Sequence, residues 1–410
     1  MNFLEIFLGI LTAMGGFVEI GELTFTLNGG RHFGYDLVWV SVLGTIGIMV
    51  YCEMAGRVAA VQRRPVFSVI RERDGFNAGL ATLVAATAVN LLTCAAEIGA
   101  VALLWQLMSG WPYRGMIAAA LVFLLLVLWL MKFEWIERVF GLGGLLMIVF
   151  IVAFVHQGPD WHEMARGLVP RLPEQGGRDT LLYAYYVVAL LSSIMLPYET
   201  YFYASGGIED GWTPKDLPLN RVVVVIGFSL GALLSVSLIG LGATWFSQHK
   251  LDPQLPGTAA LPAALAFGHA GLWAALAGMF FAFAGAAIET ALSAAYNLAQ
   301  FAGWPWGKYL KRREAGRFTL SWIVALAGAA AVVMSGVDPV QVVEASIVFS
   351  VVILPFSYFP VLMVARDPRI MGEHANGWFA NTLGWAFLGL ITAAALAALP
   401  LFVLTHQGRG

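Results

Sequence analysis

The chain has 410 residues, of which 59% are hydrophobic and 12% charged. A soluble domain carries about 25% charged residues, so a water-soluble globular protein is excluded and an all-α polytopic membrane protein is implied. The formal net charge of -2 lacks the basic excess of a nucleic-acid-binding surface.

Uncharged stretches recur at 75–96, 98–113, 115–131, 139–159, 222–249, 253–288, 318–337, 345–365 and 374–408. A spanning helix needs about 20 apolar residues. With two acid-interrupted segments added, eleven spans are predicted, near 3–27, 34–61, 77–108, 114–131, 139–156, 180–204, 221–246, 271–302, 318–336, 341–364 and 378–404. The first lacks a basic leader and carries Glu5, so it reads as a retained helix rather than a cleaved signal peptide. The longest loops, 157–179 and 247–270, are short, so 1–410 reads as one transmembrane domain.

The first span is interrupted at Glu19, Ile20, Gly21 and Glu22, just after Gly15 and Gly16. Two glutamates three apart share a helix face, and glycine eases an unwinding that would free carbonyl oxygens for an ion. The competing reading is a capping or snorkelling glutamate near a membrane edge. In the second span Glu53 precedes Arg57 by four residues, the spacing of a structural ion pair. Cys52 and Cys94 both fall inside spans, which argues against a disulfide framework. Glu97 in the third span suits a proton path, a supporting contact to the site or a structural acceptor equally.

The sixth span carries Leu196, Pro197, Tyr198 and Glu199 in mid-membrane. Proline removes a backbone donor and is expected to kink the helix. A carboxylate at that depth is costly and usually functional. No lysine or arginine lies in the nearby spans to neutralise Glu199, which leaves a metal or a proton. Glu289 in the eighth span lines a pathway or packs on polar neighbours, and Glu344 reads as an edge or vestibule residue. The small-residue stripe Ala282, Ala284, Gly285, Ala286 and Ala287 suits close helix packing. All seven histidines fall at span ends or in loops, which argues against a central histidine relay. No nucleophile elbow, His-Glu-x-x-His or P-loop is present, so no enzymatic activity is expected.

With the N-terminus inside, 16 of the 23 Lys+Arg fall on cytoplasmic ends and loops, which places the C-terminus outside. Two broken helices with carboxylates at the breaks suggest a cation site at the bilayer midplane. Three acids in apolar surroundings would not all ionise alone, and a divalent ion removes both the insertion cost and the repulsion. Oxygen-only ligation favours a hard cation: Mg2+, Mn2+ or Ca2+.

These residues resemble the Nramp divalent-metal transporters over nearly the whole chain. The resemblance is carried by Phe33-Gly34-Tyr35 and Leu37-Val38-Trp39, by Gly167-Leu168-Val169-Pro170 before the sixth span, and by Ala284-Gly285. Leu354-Pro355-Phe356 and Arg369 to Glu373 extend it. The family's first-span Asp-Pro-Gly-Asn is matched by Glu19, Ile20, Gly21 and Glu22, and its sixth-span Met-Pro-His by Leu196, Pro197 and Tyr198. A further family histidine falls at Tyr203, a third-span acid at Cys94 with Glu97 keeping its acidic partner's position, and the tenth-span polar ligand at Ile353. The chain is most similar to the divergent Nramp-related magnesium transporters, whose site also lacks the methionine.

The resemblance implies a LeuT-type fold of two inverted five-helix repeats, 1–157 and 178–365, with an additional helix at 378–404. It implies alternating-access transport of Mg2+ first and Mn2+ second, without proton coupling. Glu19, Glu22 and Glu199 are the expected ligands, direct or through waters. Gly16, Gly21, Ser193, Pro197 and Tyr198 are expected to offer backbone atoms, freedom of movement or cavity shape, and Glu97, Tyr203 and Glu289 to line the pathway. No cofactor beyond the transported ion and no obligatory protein partner is expected, and the expected location is the cell inner membrane. The alternatives are a proton-coupled Mn2+/Fe2+ importer and, less favoured, an amino-acid carrier of the same fold, whose substrate carboxylate three acids would repel.

Overall fold

Long apolar runs leave the backbone no partner but itself, and helices result. The computed structural model describes residues 18–173, 178–406 and 408. Gly16 and the first half of the predicted span 3–27 lie outside the described residues. The described chain begins with α1 (Ile20–Phe33), followed by α2 (Val38–Gln62), α3 (Phe76–Ser109) and α4 (Tyr113–Leu130). Next come α5 (Phe133–His156), α6 (Arg178–Ile194), α7 (Pro197–Glu209) and α8 (Leu217–Leu241). The last four are α9 (Leu261–Ala302), α10 (Gly316–Met334), α11 (Pro339–Ala365) and α12 (Trp378–Leu404). Among the described residues ten helices are long and apolar enough to cross a membrane, with α6 and α7 counted as one interrupted span.

Where the boundaries differ from the sequence reading, the causes are local. α1 continues past residue 27 because Gly29 and Gly30 pack closely against neighbouring helices, and it stops at Gly34, whose φ of 61° ends the helix. α5 starts at Phe133 rather than 139, with Glu134 in its first turn, where the helix dipole favours an acid. The predicted loop 247–270 is helical from Leu261 onward. Pro262 opens that helix and Gly268, at φ 62°, bends it. Pro197 does not kink a continuous helix. It is the first residue of a new one, where its missing N–H costs nothing.

Two apolar cores hold the bundle. One joins α3, α4, α5, α9 and α10, and the other α2, α6, α7, α11 and α12. Helix α1 lies at the seam: Ile20, Leu23 and Leu27 enter the first core, and Phe25 the second. Its N-terminal end is thereby held in the interior between two packed bodies. The predicted pair Glu53–Arg57 forms at 3.0 Å, and Arg57 also donates to Asn376 Oδ1 at 2.6 Å, tying α2 to the loop before α12.

Candidate metal site at the helix breaks

The site is built from two helix N-termini. Glu19 has extended backbone (φ -78°, ψ 166°) and α1 starts at the next residue, so the helix begins inside the protein. Leu196 is likewise extended (φ -81°, ψ 128°) and α7 starts at Pro197. A helix start leaves unpaired N–H groups and a partial positive charge. Both helices carry an acid in the first turn, Glu22 in α1 and Glu199 in α7.

Glu19 and Glu22 are 2% and 4% exposed, and Glu97 on α3 is fully buried. The Ile20 N–H donates to Glu97 Oε1 at 2.8 Å, so α3 supplies an acceptor for the free end of α1. Glu97 therefore has a structural partner as well as a place beside the break. The Ser235 hydroxyl on α8 donates to Glu22 Oε1. Glu199 is half-buried between fully buried Tyr198 and Thr200, and Glu289 on α9 is half-buried between Ile288 and Thr290, which are buried.

The five acids act on one another. Glu199 lies within electrostatic reach of Glu22, Glu289 and Glu19, and Glu97 within reach of Glu19. Among the described residues, no lysine or arginine forms an ion pair with any of them. One oxygen each of Glu19, Glu97 and Glu199 is buried without a hydrogen-bond partner. Among the described residues no three His, Cys, Asp or Glu side chains gather into a closed ligand cage. The carboxylates lie within electrostatic reach of one another but do not form a tight shell.

Other predicted residues fall into place unevenly. Gly21 is not an unwound carbonyl donor. It sits in the first turn of α1, where a Cβ would lie 2.7 Å from Ile347 Cδ1 and 2.8 Å from Glu19 Oε1, so its bare backbone makes room for both. Ser193 is one residue from the end of α6, and its hydroxyl donates to Leu190 O at 3.1 Å. Tyr198 is fully buried at the start of α7, within reach of Glu199, Glu19, Glu289 and Glu97. Tyr203 lies elsewhere: its hydroxyl donates to Asn220 Oδ1 at 2.8 Å, beside Gly56 and Glu53. Glu344 is buried rather than at an edge, near Tyr185 and Tyr186. Sequence reasoning missed Ser235 and also Asn297, a fully buried α9 amide with both polar atoms unpaired. A neutral serine in an apolar helix usually bonds back to its own helix, so Ser235 gave no signal by itself.

Residues 9–400 match the family model for natural resistance-associated macrophage protein-like chains, Nramp. A relative from Pseudomonas aeruginosa, named divalent metal cation transporter MntH 1, is 26% identical, with 95% of this chain and 90% of that one covered. The crystal structure of a manganese transporter from Eremococcus coleocola, in complex with an aromatic bis-isothiourea substituted compound, superposes with a TM-score of 0.77 at 20% identity. It covers 98% of this chain and 86% of its own. Mhp1, a nucleobase-cation-symport-1 family transporter, superposes at 0.63 with 12% identity over 98% of this chain and 92% of its own. The shared architecture is the LeuT-like fold.

Proposed function

The chain belongs to the Nramp family, and we propose that it is an alternating-access transporter of hard divalent cations, Mg2+ first and Mn2+ second, without proton coupling. The ion lies where the breaks before α1 and α7 meet, bound by Glu19, Glu22 and Glu199 directly or through water. Two inverted repeats, 1–157 and 178–365, bring these breaks together, and the helix at 378–404 stands outside them. The basic residues orient the chain in the inner membrane with its N-terminus in the cytoplasm and its C-terminus outside.

One observation carries this reading: buried carboxylates at two interior helix starts act on one another and have no basic ion-pair partner among the described residues. A buried charge persists only when paired or bound to a metal. All the side-chain ligands in this set are oxygen donors, and Leu196 stands where the family has a thioether. Sulfur favours softer ions, so its loss moves preference toward Mg2+. Glu97 and Glu289 extend the acidic region toward α3 and α9 and are assigned to the pathway. Reconstitution in liposomes tests the site: Glu199→Ala carrying Mg2+ at the wild-type rate would refute it.

A second reading, proton-coupled Mn2+ import, is favoured by the names of the similar proteins, a divalent metal cation transporter and a manganese transporter. Intraliposomal pH during metal uptake separates the two, since only the coupled transporter acidifies the lumen. Competition among Mg2+, Mn2+ and Ca2+ ranks the substrates.

A further inference from the structure

The C-terminal half of α8 is apolar and shows no acid, yet it meets α1 more intimately than packing alone requires. A Cβ on Gly30 would lie 1.9 Å from Ile239 O, and one on Gly242 would lie 2.2 Å from Leu27 O. At this height the two helices touch backbone to backbone. A π-helical turn over Gly242–Phe246 continues α8 at that contact, and such turns often mark functional positions. Glu22 precedes Gly30 by eight residues and Ser235 precedes Gly242 by seven. At 1.5 Å per residue these offsets are about 12 Å and about 10 Å. The helices therefore meet again, with matching spacing, where the Ser235 hydroxyl reaches the Glu22 carboxylate.

Ser235 is 1% exposed. Its Oγ also lies 3.1 Å from Gly231 O, the bond to its own helix that a serine makes by default. A hydroxyl has one proton, so donation to Glu22 competes with that default, and the carboxylate is the stronger acceptor. We infer that Ser235 is a positioning residue for Glu22: anchored by the glycine contact, α8 uses this hydroxyl to fix one oxygen of Glu22 and so sets how the carboxylate faces the ion. The inference rests on the reading of Glu22 as an ion ligand.

The test is Mn2+ and Mg2+ flux in proteoliposomes containing wild type, Ser235→Ala, Ser235→Thr and Glu22→Ala. Ser235→Ala is expected to raise KM about tenfold, the size of one lost hydrogen bond to a charged group, with the maximal rate within about twofold. Ser235→Thr keeps the hydroxyl and is expected to stay near wild-type KM. A packing role predicts the opposite order, because threonine adds volume where alanine removes little. In a Glu22→Ala background Ser235→Ala is expected to add nothing to KM.

Wild-type KM in Ser235→Ala, or a worse KM in Ser235→Thr than in Ser235→Ala, overturns the inference. If Glu22→Ala alone raises KM while Ser235→Ala does not, the ion site stands and only the role of Ser235 falls. If Glu22→Ala is also at wild-type KM, the ion site itself is wrong. Should Ser235→Ala fail to fold, Ser235→Cys, a near-isostere with a weak donor, is expected to show the raised KM, and wild-type KM in it overturns the inference.

Discussion

Two clusters of acids in the molecule are treated differently. Around Lys308, in the connection between α9 and α10, Glu137 Oε1 and Asp210 Oδ1 each approach its Nζ at 3.3 Å. Glu209 accepts the Lys308 N–H at 2.6 Å and the Tyr296 hydroxyl at 2.8 Å. Burial works against the Lys308 charge, but the Glu137 and Asp210 carboxylates outweigh it and hold its pKa above the ordinary lysine value. At the starts of α1 and α7, Glu19, Glu97 and Glu199 each keep one buried oxygen without a partner. The first cluster carries its own cation and ties the ends of α5, α7 and α9 together. Among the described residues the second contains no basic ion-pair partner, and the proposed transported ion would supply that charge. A membrane acid is therefore a candidate ligand only when the fold withholds a lysine or arginine from it.

The comparison can be broken by moving charge at either place. The largest effect is expected from Glu199→Ala, which should lower Mg2+ and Mn2+ flux about a hundredfold or more, given that even residues supporting a ligand cost roughly 10–100-fold. The same substitution should abolish metal-dependent stabilisation. In wild type, ion at a hundred times its Kd should add about 2.7 kcal/mol, read as a rise in melting temperature in detergent. A similar rise in Glu199→Ala would place the ion elsewhere.

Lys308→Met should act on stability instead. It removes the partner of half-buried Glu137, whereas exposed Asp210 turns to water, and should cost about 1–3 kcal/mol, read by thermal unfolding, while the metal-dependent rise is retained. Unchanged stability would mean that these acids do not depend on Lys308. Glu97 sharpens the comparison, because it has both a structural bond and a place beside the site. Glu97→Leu leaves the Ile20 N–H without an acceptor, at about 1–3 kcal/mol, whereas Glu97→Gln can still accept it. Equal melting temperatures for the two variants would contradict the capping role. The smallest effect belongs to the exposed pair Arg64–Glu72. The hydrogen bond from Arg64 holds the Glu72 carboxyl below its usual range, so any stabilisation is present above that range and fades as pH falls. Arg64→Ala should leave the melting temperature unchanged within error at neutral pH.

The interior helix starts at Ile20 and Pro197 were legible in the sequence because glycine, proline and buried glutamate are rare together in an apolar run, and α12 has the predicted limits 378–404. What was not legible depends on contacts between distant segments. Gly21 looked like a point of unwinding, but its role is to admit Ile347. The Glu97 bond to Ile20 spans 77 residues. Tyr203 aligns with a family histidine, yet it faces Asn220 because the C-terminal half of α2 and the start of α8 pack there. Ser235 is indistinguishable in sequence from Ser237, which bonds only to Leu233 O in its own helix.

The most direct test is anomalous diffraction from crystals of the protein soaked in Mn2+. A peak is expected between the carboxylates of Glu19, Glu22 and Glu199, and it should be lost in Glu199→Ala crystals. A peak confined to the acids around Lys308, or none near the two breaks, would contradict the claim that a divalent ion neutralises the acids where the broken helices meet.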